Sequence, residues 1–391
     1  MIYLATALWF GGAKVAGANR LFIPIGLAIS GLLTASLAVE PFLFAALLIE
    51  LAVLVSIPLL SPPGEQVGRG VLRYLTFQTL GMPFILFTGW LFVGVEANPG
   101  NLDAILRATV PLLLGFSFLI GIFPFHTWIP MIAEENHPYT AAFIFFVLPG
   151  VVSIFGLSFL VRYPWLRASP LLYLSLRLLG LLMVFTGGVW AAFQRNLGRL
   201  LGYAVMVDIG LSLLAISLGA GSTELPLPIS GADTPHATGL FFSFFPARGM
   251  GLVLWALALS TIRRYVPNLN FRSVHGLARK LPIACAALIL ANFSYAGIPL
   301  LAGFPVQLSL WSSLASQSLP MSLFGLVGMI GLTGGALRSM VVLTTGKDEN
   351  PWRIEENRSQ IFFLSIGMIV LLLLGLFPQI YFPLITVIGP F

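Results

Sequence analysis

Apolar windows long enough to cross a lipid bilayer recur along almost the whole of this sequence, and they restrict its fold more than any other feature. Of the 391 residues, 58% are hydrophobic and 9% are charged, whereas a soluble domain carries about 25% charged residues. About twelve windows have the length needed to span roughly 30 Å of hydrocarbon. The sequence therefore predicts a polytopic membrane protein.

The backbone in these windows is predicted to be helical. Hydrocarbon offers no hydrogen-bond partner, so only helices and closed barrels can span it. Barrel strands alternate apolar and polar residues over about ten positions, and these windows do not alternate. We therefore predict an all-α bundle forming a single membrane domain over residues 1–391. The predicted spans are 2–18, 22–38, 42–60, 72–95, 108–123, 139–161, 170–190, 199–219, 239–262, 281–316, 322–344 and 361–385.

The tenth window is too long for one crossing and is interrupted by Gly297, Pro299, Gly303 and Pro305. Proline removes a helical hydrogen bond, and glycine loosens the helix around it. We therefore predict at least one broken helix, buried in the protein. Such breaks line polar cavities in transporters, and a plain kink packed against neighbouring helices is the alternative.

Basic residues are concentrated in alternate loops, which predicts an orientation. The richer loops hold Arg20, Arg69, Arg195, the cluster between 263 and 280, and three bases between 347 and 358. The positive-inside rule predicts these loops in the cytoplasm and both termini on the outer side. The polar segments 220–238 and 346–360 are predicted to be loops. No basic region precedes the first apolar run, so no cleaved signal peptide is predicted.

The sequence offers no pattern for a metal or a nucleotide. Its one cysteine, Cys285, cannot hold an iron–sulfur cluster, which needs four ligands. The four histidines lack metal-ligand spacing, and no glycine-rich phosphate-binding motif is present. We therefore predict no metal site and no cofactor bound by this chain.

Ionisable residues inside the predicted spans are the candidate functional residues. A charge at bilayer depth costs about 2.5–3.5 kcal/mol on insertion scales, so it needs a partner or a role. The candidates are Glu50, Asp208, Arg248 and Arg338. They are interpreted either as stations on a proton or ion path or as ion pairs that hold helices together. His126 is a further candidate, because histidine is the side chain that ordinarily changes charge near neutral pH, and capping or interfacial anchoring is the alternative for it.

Several motifs resemble those of one family. The segment 115–130, GFSFLIGIFPFHTWIP, matches a GF…FPFHTWLP signature, and QRNLGRLLGY from Gln194 resembles QxDLKRLLAY. HGLARKLP from His275 resembles a GLxxxxP entry to a broken helix, and SYAGIPLLAGF from Ser294 resembles SLAGIPPLAGF. These motifs belong to the antiporter-like membrane subunits of respiratory complex I (NADH:quinone oxidoreductase), shared with Mrp-type antiporters and membrane-bound hydrogenases. The resembling core covers about residues 42–345.

The resemblance implies a membrane-arm subunit of a complex I-like proton-translocating assembly, not catalytic alone. Its partners would be other membrane-arm subunits in the cell's inner membrane, and redox chemistry would lie in those partners. The family's glutamate lies two spans later than Glu50 does here, which implies that two N-terminal spans are missing. The lateral helix of the largest such subunit is also absent from the sequence.

The resemblance also implies a reduced or lost proton path. The positions of the family's buried lysines are occupied here by Leu119, Ile154 and Gln307, none of which titrates. Only Glu50 remains of the usual set. Two alternatives stay open: a structural membrane subunit that conducts nothing, and a subunit of a cation/proton antiporter.

Overall fold

The computed structural model is helical through the residues that it describes, which are 2–64, 66–98, 101–219, 237–346 and 354–380. No β-strand occurs within these ranges. Nine helical segments there, counting 102–135 as one, are long and apolar enough to cross a membrane. Together with the shorter helices Ile2–Ala16 and Phe22–Ala38 and the helix pair Pro282–Tyr295 and Gly303–Gln317, they match the twelve predicted spans. The all-α membrane prediction is confirmed.

The helices form two compact units, residues 1–169 and 170–391. The first unit contains α1 (Ile2–Ala16), α2 (Phe22–Ala38), α3 (Phe42–Leu60), α4 (Arg69–Ala97), α5 (Leu102–Ile120), α6 (Trp128–Glu135), α7 (Pro138–Arg162) and α8 (Pro164–Arg167). The second contains α9 (Pro170–Phe193), α10 (Leu197–Ser217), α11 (Ala237–Tyr265), α12 (Pro282–Tyr295), α13 (Gly303–Gln317), α14 (Leu319–Thr344) and α15 (Arg358–Leu376). A single domain over the whole chain stays a prediction.

Three other predictions fall partly outside the described residues. They concern the polar loop 220–238, the polar loop 346–360, and the end of the last span, at 385.

The long tenth window is broken as predicted. Helix α12 ends at Tyr295 and α13 begins at Gly303. Gly297 adopts a φ of 72°, which a residue with a side chain rarely tolerates. The glycine therefore ends α12 and allows the chain to turn before α13.

A second break, in the first unit, was not predicted. Helix α5 ends before Gly121, whose φ is 76°. A 3₁₀ turn at Phe125–Thr127 leads into α6. After this turn the helix resumes at Trp128. The reason is burial, because Trp128, Ile129 and Ile132 on α6 are fully buried.

The end of α6 ties together the helices on either side of the 61–68 loop. A carboxylate oxygen of Glu135 accepts a hydrogen bond of 2.8 Å from the backbone N–H of Gly70, in the first turn of α4. The side-chain amide of Asn136 donates to the carbonyl of Leu60, the last residue of α3. These bonds hold the end of α6 against the end of α3 and the start of α4.

The basic loops of the second unit meet at one end of that unit. Backbone hydrogen bonds join Phe271 N–H to Arg195 O (2.8 Å), Gly276 N–H to Val342 O (2.9 Å) and Glu355 N–H to Lys280 O (3.1 Å). The loops that follow α9 and α11, the last turns of α14 and the segment before α15 therefore meet at this end of the unit. The structure does not show which side of the membrane this end faces, so the orientation stays a prediction.

A buried carboxylate caps the first half of the broken helix at the same end. The oxygens of Glu356 accept hydrogen bonds from the backbone N–H groups of Ala284 (2.6 Å) and Ile283 (3.3 Å). Burial raises the pKa of the Glu356 carboxyl, and these two hydrogen bonds act in the opposite direction. The carboxylate satisfies N–H groups that have no partner within α12.

Glycines bring the backbones of α9 and α14 into contact. A methyl group placed on Gly331 would lie 2.6 Å from the carbonyl oxygen of Gly188. Gly328 and Gly335 on α14 also face backbone atoms of α9 at distances that leave no room for a side chain. Small residues that allow such approach are typical of helix pairs in membranes.

We expect Gly331→Ala to lower the thermal unfolding midpoint of the purified protein. Overpacking of this kind costs about 1–3 kcal/mol. The matched control is Gly334→Ala on the same helix, where nothing lies within 4 Å of an added methyl group. The control should leave the midpoint unchanged or raise it slightly. Equal losses in the two variants would contradict the backbone contact.

Candidate functional site

A buried ion pair joins α10 to α11 in the second unit. The guanidinium of Arg248 pairs with a carboxylate oxygen of Asp208 and donates to the hydroxyl of Ser212, one turn further along α10. Asp208 is 8% exposed and Arg248 is 5% exposed. The ring of Phe245 lies 5.3 Å from the guanidinium carbon. Of the two interpretations of Asp208, the structure shows the ion pair.

A small polar cavity lies beside this pair, at the break between α12 and α13. Its volume is about 20 Å³, enough for one water molecule. Polar side chains from four helices contribute to its lining, namely Asp208, Arg248, Ser294, Tyr295 and Gln307. Of the two alternatives for the break, the structure shows a small cavity with these polar groups in its lining.

Gln307 makes a specific contact at the break. Its side-chain amide donates a hydrogen bond of 3.0 Å to the carbonyl of Tyr295, the last residue of α12. The hydroxyl of Ser294 accepts one of 3.2 Å from the backbone N–H of Gly303, the first residue of α13. Both ends of the break thus have side-chain partners, and neither partner carries a charge.

In the first unit, another glutamine donates a hydrogen bond to a backbone carbonyl at a helix break. The side-chain amide of Gln78, on α4, donates a hydrogen bond of 2.9 Å to the carbonyl of Leu119 in the last turn of α5. Leu119 and Gln78 are fully buried. Ile154, on α7, is partly buried. The position of Leu119 therefore lies inside the protein, but its side chain offers no group that can carry a proton.

Glu50 lies in the middle of α3 and is half-buried. One carboxylate oxygen accepts a hydrogen bond of 2.9 Å from the hydroxyl of Thr79 on α4. The other is buried and has no hydrogen-bond donor in the part of the chain that the structure describes. Ser56, six residues after Glu50 on α3, and Tyr74, five residues before Thr79 on α4, share a hydrogen bond of 3.0 Å.

His126 and Arg338 lie apart from these clusters. His126 is in the 3₁₀ turn between α5 and α6, and its ring stacks on Phe123 with centroids 5.5 Å apart. Arg338 is exposed on α14, where it donates to the carbonyl of Ala192 at the end of α9. Arg338 is therefore not a partner of Asp208. The roles of both residues in a proton path stay predictions.

The sequence analysis missed three polar residues that complete these sites. Gln78 and Ser212 lie inside apolar spans, so a search for every buried amide or hydroxyl, beyond the ionisable groups, would have identified them. Tyr295 lies within the broken-helix motif, and its hydroxyl donates a hydrogen bond of 3.3 Å to the carbonyl of Arg248. No sequence signal indicates that contact. Within the described residues, no group of three metal-ligating side chains is placed to hold an ion.

The arrangement in the second unit holds a fixed charge pair. The guanidinium of Arg248 is balanced by the adjacent carboxylate of Asp208. Removal of one partner would leave the other charge buried and unpaired, which is more costly than removal of both.

We expect Asp208→Asn to reduce the free energy of unfolding by about 3–5 kcal/mol. The double variant with Arg248→Gln should recover part of this loss. Asp103→Asn is the matched control, since its carboxylate pairs with Arg107 at 2.7 Å on an exposed surface. Exposed pairs contribute less than about 1 kcal/mol. If Asp208→Asn lowered the free energy of unfolding no more than Asp103→Asn does, that result would contradict a structural role for the ion pair.

Comparison with known proteins places this geometry in a family. Residues 74–333 match the family model described as NADH:quinone oxidoreductase/Mrp antiporter, TM. NADH-quinone oxidoreductase subunit N of Desulfitobacterium hafniense is 26% identical over 299 residues, which cover 75% of this chain and 59% of that protein. Formate hydrogenlyase subunit 3 of Escherichia coli is 28% identical over 204 residues, covering 51% and 32% of the two chains.

Solved structures share the fold. A chain of respiratory complex I from Thermus thermophilus superposes with a TM-score of 0.80 at 21% identity, covering 99% of this chain and 83% of that one. A chain of the Mrp complex from a Dietzia species gives a TM-score of 0.83 at 17% identity, with 98% and 80% covered.

The chain spans about three fifths of the length of the subunit N relatives that it matches, with 59%, 62% and 58% of three of them covered. The matched family model extends from α4 in the first unit to α14 in the second, and so includes both broken helices. This multi-pass membrane chain belongs to the NADH:quinone oxidoreductase/Mrp antiporter transmembrane family.

Proposed function

We propose that the chain is a membrane-arm subunit of a complex I-like proton-translocating assembly, and that its own proton path is reduced or lost. In this proposal the neighbouring subunits carry the redox chemistry, and the chain itself binds no cofactor. Family membership supports the first part. The second part is supported by the uncharged side chains at the positions where the family resemblance implies lysines.

One observation carries the proposal. Leu119 is fully buried beside the first helix break, and its carbonyl is occupied by the amide of Gln78. Gln307 occupies the corresponding place at the second break and binds the carbonyl of Tyr295. At each break, therefore, the side chain that donates the hydrogen bond is uncharged. A proton carrier must accept and release a proton, which neither an amide nor an alkyl side chain does near neutral pH.

The remaining charges do not replace the lysines. Asp208 is held in a buried ion pair with Arg248. Glu50 is the titratable group that the resemblance retains, and it has Thr79 as a neutral partner. We therefore propose that Glu50 and Asp208 do not form a complete path. The structural alternative, a subunit that conducts nothing, is the limiting case of this proposal.

We expect the double variant Glu50→Gln, Asp208→Asn to leave the ratio of protons pumped to electrons transferred unchanged in the assembled complex reconstituted into liposomes. The reason is that neither carboxylate belongs to a complete path. Because Asp208→Asn leaves a buried arginine unpaired, the triple variant with Arg248→Gln serves as the control for assembly. A clear fall in the ratio, with assembly intact, would show that these carboxylates carry protons.

Membership of an assembly has a separate test. The tagged chain, extracted from its native membrane in a mild detergent, should co-purify with other membrane-arm subunits that mass spectrometry identifies. Purification of the chain alone, with sodium- or potassium-dependent proton exchange in liposomes, would favour the cation/proton antiporter alternative. That alternative has less support, because few carboxylates are buried within the described spans.

We also propose that the chain lies in the cell's inner membrane, with the basic loops in the cytoplasm and both termini on the outer side. The meeting of the loops that hold Arg195, Phe271 and Lys280 at one end of the second unit supports a common side for them. Labelling of single cysteines introduced at exposed positions such as Arg272 and Arg167 would distinguish the two orientations.

A further inference from the structure

An exposed arginine lies inside the membrane-spanning part of α14, and the proposed function does not use it. Arg338 is six residues from the end of α14, about 9 Å below that end at 1.5 Å per residue. Its side chain crosses to α9, donates to the carbonyl of Ala192, and lies with its guanidinium carbon 5.7 Å from the centre of the Phe271 ring. The charge is thereby directed toward the helix ends and stays exposed.

Two more exposed arginines come from the loops beside it. Phe271, under Arg338, is bonded through its backbone N–H to the carbonyl of Arg195, and Arg272 is the next residue. Arg195 and Arg272 are exposed. No carboxylate in the described ranges forms an ion pair with these three arginines. Three guanidinium groups at one membrane edge therefore lack an anionic partner within those ranges.

An apolar stripe runs along α14 beside Arg338. Ile330, Leu337 and Val341 share one face of the helix with Gly334, and these three side chains are 45–70% exposed. Gly334 lies one turn below Arg338, and nothing lies within 4 Å of a Cβ placed on it. The stripe thus has a notch next to the charge, where a narrow hydrocarbon chain can lie against the helix backbone.

Aromatic side chains mark the same membrane edge. Trp190 and Phe193, at the end of α9, are 55% and 68% exposed. Tryptophan is enriched at the level of the lipid headgroups. Cations, an aromatic belt and an apolar notch below them are the features that recognise a lipid with an anionic head.

We propose that this edge of α9 and α14 is a binding site for an anionic phospholipid, with the phosphate held by Arg195, Arg272 and Arg338 and an acyl chain lying in the Gly334 notch. The inference goes beyond the proposed function, because it requires neither proton conduction nor a particular assembly. The site would hold α9, α14 and the loops at 195 and 271 together through one bound lipid.

The site can be tested by titration of the purified full chain, in the complex in which it is extracted, with phosphatidylglycerol and with phosphatidylcholine of the same acyl chains. Native mass spectrometry reports the bound lipid. Phosphatidylglycerol should bind more tightly, and Arg338→Gln should weaken its binding about fivefold, since one surface arginine contributes about a factor of five. Adding Arg195→Gln should bring the loss to roughly 25-fold. Arg264→Gln, exposed at the end of α11, is the matched control and should have no comparable effect.

Other variants separate the two parts of the site and the alternative occupants. Gly334→Leu fills the notch without touching the arginines and should weaken phosphatidylglycerol binding while inorganic phosphate binding stays unchanged. Equal binding of the two lipids, or inorganic phosphate bound as tightly as phosphatidylglycerol, would overturn the proposal. A photo-crosslinker at Val341 should label lipid in the native complex. Labelling of a protein subunit instead would assign the surface to a partner chain and also overturn it.

Discussion

The constraint on which this structure depends is the need to satisfy backbone carbonyl groups where two helices stop among apolar residues. Lipid offers no hydrogen-bond donor, so the protein must supply one. In the first unit, Gln78 donates to Leu119 O, and in the second, Gln307 donates to Tyr295 O. The two units reach the same solution with an uncharged amide. The hydrogen bond to the free carbonyl at each break is therefore made without a charged side chain.

This solution bears on function because an ammonium group could make the same hydrogen bond and also titrate. The amide at Gln307 keeps the bond and removes the charge. The charges that remain in the second unit, Asp208 and Arg248, neutralise one another, and Ser212 occupies a further guanidinium donor. Glu50, with Thr79 as its partner, is the exception in the first unit. The interior is therefore polar at its breaks and nearly neutral in charge.

Much of the fold could be predicted from apolar length alone, because each span must cross the same thickness of hydrocarbon. The break after Tyr295 was predictable from its glycines and prolines. The break after Ile120 was missed because α6 has only eight residues, buried along one face, and does not form an apolar window of its own. The residue types at the candidate site were also predictable, since ionisable groups are conspicuous in apolar spans.

Which of the ionisable residues pair with one another was not predictable. Asp208 and Arg248 are 40 positions apart in the sequence, and which arginine meets the carboxylate depends on how α10, α11 and α14 rotate against their neighbours. A signal for α14 was present, however. Gly328, Gly331 and Gly335 recur on one face, and that face packs against α9. Arg338 lies at the edge of the glycine face, which leaves it at the surface and away from Asp208.

The glycine contact between α9 and α14 also limits how the second unit can move. The carbonyl of Gly188 lies against Gly331 and that of Val184 lies against Gly328, so sliding one helix along the other would drive side chains such as Met329 or Leu332 into backbone. Helices α9 and α14 are therefore expected to move together, as one rigid pair. Helix α10 is held to α9 in the same way, since Gly180 and Gly210 bring their backbones together. Any rearrangement within this unit must therefore be accommodated among α11, α12 and α13, where the helix is interrupted.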